Sequence, residues 1–293
     1  MIRTVPAWVP QWHALFPLLH ARTIPTHPAL IPGSRASFVR TSHENPVTLP
    51  TDALHSTLLT GHAVFQGFHA GPHDAVCGYE ALIRPVLAGT PLAPPQLFAL
   101  AHSPHALQQT DQWALQHVAQ AVRSLPFAPP LLSLNLRTVT LANPSWVHDY
   151  LTHLGLPASR LLIEILETDT LPPPFTTWMD LRTTYPQLAF AVDDWGGGLN
   201  DLSRIFILRP EWIKLDRVWV VLAATHSAIA PFLHTFIAWA HDEGIRVIAE
   251  GIETRLQREW IDALGIDAAQ GYLWGVPTAW PAMDPRLTLS PSS

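Results

Sequence analysis

The chain has 293 residues, of which 48% are hydrophobic and only 14% charged, so it carries too much apolar and too little charged material for an intrinsically disordered protein. Its net charge of −6 excludes a protein that holds a DNA or RNA duplex by neutralising phosphates, although a small anionic ligand bound by a few charges or metals stays possible. The 17 basic residues are 16 Arg and one Lys, Lys214, and the nine Glu and four Asn are few enough that their positions carry information.

Residues 1–51 hold eight prolines and four Arg against one Glu, show no sustained periodicity beyond a weak apolar run at Trp12–Leu19, and read as an N-terminal extension. Arg3 is followed by Pro6, Pro10, Gln11 and His13, which interrupt any signal-peptide core. One cysteine, Cys77, permits no intrachain disulfide and no zinc cluster, in keeping with a buried thiol in a reducing cytoplasm. The stretch Trp219–Ala240 is the most membrane-like. His226, Ser227, Pro231, His234 and Thr235 within it argue for a buried helix and against insertion in a membrane.

From residue 52 to about 280, apolar β-rich runs alternate with longer helical segments. The predicted strands are His62–Phe68, Ala75–Leu82, Leu131–Leu136, Arg160–Leu166, Gln187–Asp193, Trp212–Leu215, Arg246–Ala249 and Ala268–Tyr272. A helix over Asp111–Leu125 places Trp113, Leu115, Val118, Ala119 and Val122 on one face, with Asp111 positioned to cap its start. Eight strands with intervening helices over some 230 residues predict a modified TIM (βα)8 barrel of the α/β class. Only about six residues separate the first two strands, too few for a parallel crossover, so these two should pair antiparallel. Residues 281–293 form a tail.

The residues at or near the ends of these strands are Glu80, Asn135, Glu164, Asp193 with Asp194, Lys214, Glu250 and Gln270, all polar and all interrupting apolar runs. A single acidic strand end is ordinarily solvated or caps a helix, but a whole series of polar ends calls for a shared explanation. Carboxylates converging on one barrel mouth repel unless cations bind there, and oxygen ligands suit hard divalent ions such as Mg²⁺ or Mn²⁺. Asp193 is the natural bridging ligand of a two-metal site. Alternation along WIKLD points Lys214 and Trp212 to one side and Ile213 and Leu215 to the other, which makes Lys214 an inward ammonium; the bland alternative is an ion pair with Asp216 or Glu211.

The runs YEALIR (79–84), SLNL (133–136), IEILE (163–167), DDWGGGLNDL (193–202), IKLD (213–216), AEGIET (249–254) and QGYLWGVP (270–277) resemble, in order and spacing, the EAL-domain family of cyclic di-GMP phosphodiesterases. The resemblance implies a barrel with one antiparallel strand that hydrolyses cyclic di-GMP to linear 5′-pGpG with two Mg²⁺ or Mn²⁺ ions. It implies metal ligation by Glu80, Asn135, Glu164, Asp193, Asp194 and Glu250, and catalysis by Lys214 together with Glu250 and Glu80. Substrate contacts fall on Gln66, Leu82, Arg84, Asp216, Gln270 and Pro277, while Glu167 braces the loop after Asp194 and Glu253 gives outer support. A homodimer is implied too.

Departures from the family pattern are Gln66-Gly67-Phe68 where QPI is usual, Leu136-Arg137-Thr138 after Asn135, three glycines (196–198) followed by Asp201 in the loop after Asp194, and Val276. None removes a ligand. The loop nonetheless leaves open a cyclic di-GMP receptor of low or no activity that signals through a partner. A different metal-assisted barrel enzyme with Lys214 as base is the remaining alternative.

Overall fold

The structure is a computed structural model that describes residues 59–279 apart from 72, 126–127, 167–174, 198–201 and 224–225. The N-terminal extension (1–51), the tail (281–293), Glu167 and Asp201 lie outside the described residues. Strands β1 (Leu59–Ala70) and β2 (Ala75–Leu87) form the expected antiparallel hairpin, with Gln66 opposite Glu80, and the two-residue β3 (Thr90–Pro91) folds back on β2. Strands β4 (Leu132–Asn135), β5 (Leu161–Leu166), β6 (Ala189–Trp195), β7 (Trp212–Leu215), β8 (Arg246–Ala249) and β9 (Ala268–Ala269) follow in parallel. β2 pairs parallel with β4, and β1 pairs antiparallel with both β2 and β9. The sheet order β1-β9-β8-β7-β6-β5-β4-β2 therefore closes on itself as an eight-stranded α/β barrel in which β1 alone runs against its neighbours.

The strands are apolar on both faces because both faces are buried. Outward side chains such as Ile163, Phe190, Val192, Ile213, Leu215 and Val247, none more than 2% exposed, meet the surrounding helices. Those helices are α1 (Pro94–Ala99), α2 (Pro104–Arg123), α3 (Thr138–Leu141), α4 (Pro144–Leu154), α5 (Phe175–Thr184), α6 (Leu202–Leu208), α7 (Arg217–Ala223), α8 (Ile229–Asp242) and α9 (Arg255–Ala263). Inward side chains Phe68, Leu162, Ala191, Trp212, Ile248 and Ala268 form a separate apolar plug inside the ring.

Three sequence-based expectations are corrected. Asp111 does not cap its helix: α2 begins at Pro104 behind Ser103, whose hydroxyl accepts from the Ala106 amide at 3.1 Å. Asp111 instead sits buried about two turns into the helix, where it accepts from Thr140 Oγ1 (2.5 Å) and the Arg137 amide (3.2 Å) and so ties α3 to α2. The Trp219–Ala240 stretch is two helices, α7 and α8, and among the described residues no helix is long and apolar enough to cross a membrane. The last strand stops at Ala269, because Gly271 lies so close to Ile252 that a Cβ would come 2.0 Å from its carbonyl oxygen. The Leu273 amide then donates to that same oxygen at 3.0 Å, turning the chain away. Cys77 is half-buried.

The hairpin that starts the barrel is anchored at its turn. Asp74, in the left-handed region at φ 51°, accepts from Arg258 Nε (2.9 Å) and Arg255 Nη1 (3.0 Å), and Arg258 also donates to the Gly71 carbonyl (3.0 Å). Arg258 is 7% exposed, so loss of a carboxylate partner strands much of its charge. Asp74→Ala is expected to lower unfolding stability by about 2 kcal/mol, because Asp262 and the Gly71 carbonyl remain as partners. Urea denaturation measures this, and a loss within about 0.5 kcal/mol would mark the tie as an ordinary surface pair.

Candidate active site

The barrel interior is built in two steps along each strand. A plug residue is followed two positions later by a polar one: Leu162 by Glu164, Ala191 by Asp193, Trp212 by Lys214, Ile248 by Glu250 and Ala268 by Gln270. In β1, which runs the other way, Gln66 precedes Phe68. On β2 the corresponding pair is Gly78 and Glu80, and a Cβ on Gly78 would meet Phe68 at 3.0 Å, so the glycine makes room for the plug. The two-residue repeat of a strand thus places every polar residue in one ring above an apolar floor.

Lys214 is the centre of that ring. It is 1% exposed, and its Nζ lies 2.7 Å from Glu250 Oε1, 2.8 Å from Asp193 Oδ1, 2.9 Å from Glu164 Oε2 and 3.6 Å from Glu80 Oε2. Burial alone would lower the lysine pKa, but Asp193, Glu164, Glu250 and Glu80 together raise it well above its ordinary value, so the ammonium is permanent. Neither Asp216 nor Glu211 is its partner. Glu211 pairs with Arg182 and accepts from the Phe190 amide (2.9 Å), while Asp216 accepts from the Val218 amide (2.6 Å) at the start of α7.

The carboxylates are fixed in place individually. Glu80 accepts from Asn135 Nδ2 (2.9 Å) and from Gln270 Nε2 (2.7 Å), and Gln270 Nε2 also reaches Gln66 Oε1 (2.9 Å). Gln66 in turn donates to the Gly275 carbonyl (3.1 Å). Glu164 accepts from Ser133 Oγ at 2.5 Å. Asp194 adopts φ 52°, a left-handed conformation that brings its carboxyl within 4.8 Å of those of Asp193 and Glu250.

Five carboxylates around one ammonium leave four negative charges, each close pair costing on the order of 3 kcal/mol. Burial and this crowding of like charge raise the proton affinity of several of the carboxyls. Burial, followed by Glu80 and Asp193, pushes Glu164 well above the carboxylate range despite Lys214. Burial and then Asp193 and Glu80, opposed by Lys214, raise Glu250 to about 8. Asp194 is exposed as a residue, yet desolvation of its carboxyl and the adjacent Asp193 raise it to about 6. Burial would also raise Glu80, but Lys214 and the amides of Gln270 and Asn135 hold it low. Carboxylate oxygens in excess of their counter-charge, including the buried Glu164 Oε2 and Asp193 Oδ1 that carry only the ion-pair contact with Lys214, are a donor set suited to hard divalent cations.

The outlying candidates divide. Leu82 borders a largely apolar cavity of about 430 Å³ that opens on Glu80, Asn135, Asp193 and Asp194, with Phe98, Leu115 and Leu136 among its other walls. Arg84 follows on the same face of β2, its Nη1 turned to the Ile83 carbonyl (3.1 Å), and it borders neither this cavity nor the next. Pro277 is half-buried beside Thr278, which bridges to Phe65. Glu253 stands at the rim in an exposed pair with Arg217 (3.0 Å), bordering a second cavity of about 280 Å³ that contains the acidic ring. Sequence reasoning missed Ser133, which its inward register beside Asn135 would have revealed, and Arg217, for which proximity to Lys214 was the signal. The glycine loop also has a packing reason: a Cβ on Gly196 would lie 1.7 Å from the indole nitrogen of Trp219, which donates to the Trp195 carbonyl (3.0 Å).

The raised carboxyls set a sign for pH dependence. Glu164, Glu250 and Asp194 bind protons more tightly folded than unfolded, so their contribution is fully present below the ordinary carboxylate pKa and is lost as pH climbs through about 6 and about 8. The melting temperature of metal-free protein is expected to fall by several degrees between pH 5 and 8.5, and the stabilisation given by added Mn²⁺ to grow over the same interval. A scanning-calorimetry series showing a flat or rising metal-free profile would refute this electrostatic account.

A family model described as EAL domain matches residues 53–277. The cyclic di-GMP phosphodiesterase RocR of Pseudomonas aeruginosa is 34% identical over 128 residues, which is 43% of this chain and 33% of that protein. The bifunctional diguanylate cyclase/cyclic di-GMP phosphodiesterase MucR of the same organism is 25% identical over 214 residues, 70% of this chain and 31% of its own. The chain thus spans about a third of the length of these curated relatives. The solved manganese/cyclic di-GMP complex of Klebsiella pneumoniae BlrP1 resembles the structure with a TM-score of 0.64 at 25% identity, over 74% of this chain and 56% of that one. With the barrel, the polar ring and a match across more than three quarters of its residues, the chain belongs to the EAL domain family.

Proposed function

We propose that the chain hydrolyses one phosphodiester bond of cyclic di-GMP to linear 5′-pGpG, lowering the concentration of that second messenger. The observation that carries this reading is the buried ammonium of Lys214 ringed by carboxylates at one barrel mouth, within 2.7–2.9 Å of three of them. Retention of every acidic residue favours an enzyme over a receptor without turnover. The relatives named as phosphodiesterases and the BlrP1 complex with manganese and cyclic di-GMP support the substrate and the cation class.

Glu80, Asn135, Glu164 and Asp193 would hold one Mg²⁺ or Mn²⁺ ion and Asp193, Asp194 and Glu250 a second, whose charges would balance the four uncompensated negative charges of the ring. Such ions, when bound, supply acidification of an attacking water and withdrawal of charge from the phosphoryl oxygens. Lys214 orients that water and, as a compact ammonium, offsets charge on a phosphoryl oxygen in the transition state. Glu250, paired with Lys214 at 2.7 Å, helps fix the position of that water between the ammonium and the second ion's site. Asn135 and Gln270 hold Glu80 in place, while Ser133 does the same for Glu164. Gln66, Leu82, Arg84, Asp216, Gln270 and Pro277 contact the nucleotide, and the apolar cavity beside the ring has room for a planar base. Glu167 and Glu253 support the surrounding loops. The protein acts in the cytoplasm as a homodimer.

The test is incubation of purified protein with cyclic di-GMP and Mg²⁺ or Mn²⁺, with products resolved by chromatography. Formation of pGpG is expected, and Glu80→Ala and Lys214→Ala should each reduce turnover by at least about a hundredfold. Lys214→Ala should leave nucleotide binding measurable. Binding without product would favour the receptor, and full rate in Lys214→Arg would contradict the role of a compact ammonium.

A further inference from the structure

Arg217 is the first residue of α7, three positions after Lys214, and it borders the cavity that contains the acidic ring. Its strand, β7, lies four strands from β2 in either direction around the closed sheet, so Arg217 stands across the mouth from the strand that carries Arg84. Its stem runs over the backbone just beyond Glu250. A Cβ on Gly251, at φ 66°, would come 2.6 Å from Arg217 Cβ and 2.7 Å from its Cγ. The glycine at this position is therefore what allows the arginine stem to lie against the end of β8. The Arg217 side chain is 59% exposed, and its Nη1 pairs with the half-exposed Glu253 at 3.0 Å.

An exposed pair of this kind is worth little and is readily exchanged. A phosphate oxygen, by contrast, matches the planar fork of a guanidinium and gains a charge-assisted bond. Lys214 is buried among three carboxylates and acts at the reacting phosphoryl group deep in the ring, so an anion arriving at the rim meets the exposed Arg217 first. Building on the reading of cyclic di-GMP as substrate, we propose that Arg217 is a phosphate-binding residue. Its guanidinium rests on Glu253 in the free protein and transfers to a non-bridging phosphodiester oxygen when the nucleotide enters, opposite the contact made from the β2 side. No bond is made or broken in this exchange, and Glu253 is left to solvent.

The test uses the full chain with Arg217→Met, which keeps a stem against Gly251 and removes the charge, and Arg217→Lys, which restores a charge without the fork. KM and kcat for cyclic di-GMP are measured with Mn²⁺, and the Kd for cyclic di-GMP by calorimetry with Ca²⁺. Arg217→Met is expected to raise KM and Kd by about tenfold or more, with kcat within about threefold of wild type, and Arg217→Lys to recover part of the loss. Wild-type KM should also rise more steeply with salt than that of Arg217→Met. KM and Kd within about twofold of wild type in Arg217→Met, or a loss confined to kcat, would overturn the assignment. A wild type that neither binds nor cleaves cyclic di-GMP would remove the functional reading and this assignment with it, whereas an active wild type with an unaffected Arg217→Met removes only the latter.

Discussion

The ammonium of Lys214 inside its ring of carboxylates is the interaction on which the rest of the site depends. A buried lysine without partners would lose its proton, and buried carboxylates without cations would gain them. Each answers the other's requirement here: Glu164, Asp193 and Glu250 keep Lys214 charged, and Lys214 makes it possible for Glu80 to stay ionised in the barrel interior. The compensation is incomplete by design of the residue count, since one ammonium cannot balance five carboxylates. The surplus appears as the raised carboxyls of Glu164, Glu250 and Asp194. A chain that takes Arg at 16 of its 17 basic positions uses its one Lys where a guanidinium would be too broad to sit between three carboxylates.

The fold supplies this arrangement through strand periodicity. Because a residue two places along a strand returns to the same face, one apolar and one polar inward position per strand give a dry plug beneath a charged ring. The plug of Phe68, Leu162, Ala191, Trp212, Ile248 and Ala268 excludes water from below, which strengthens the interactions above it. The reversed direction of β1 has a specific consequence. It brings Gln66 opposite Glu80 and beside Gln270, so that two amide side chains close the ring where β1, β2 and β9 meet.

Much of this was legible in the sequence, for reasons that lie in the same periodicity. Polar residues interrupting LLSL, RLLI, LAFAV and IRVIA marked the inward positions, and a six-residue gap between two β-runs required an antiparallel pair. What local pattern could not supply were partners distant in the chain. Asp111 looked like a helix cap because its role depends on Thr140, 29 residues away, and the end of β9 depends on the backbone of Ile252. Between α7 and α8 the polar residues His226 and Ser227 read as marks against a membrane span, but they also fall where one helix gives way to the next. Arg217 went unnoticed because its relation to Glu253 and Gly251 arises only when β7 and β8 lie side by side.

The central claim is that the ring around Lys214 is a site for two divalent cations whose binding displaces protons from strained carboxyls. Calorimetric titration of the full chain with Mn²⁺ at pH 7.5, repeated in buffers of different ionisation enthalpy, tests it most directly. Two ions per chain with net proton release is the predicted result, and absence of binding, or binding with no proton release, would contradict it.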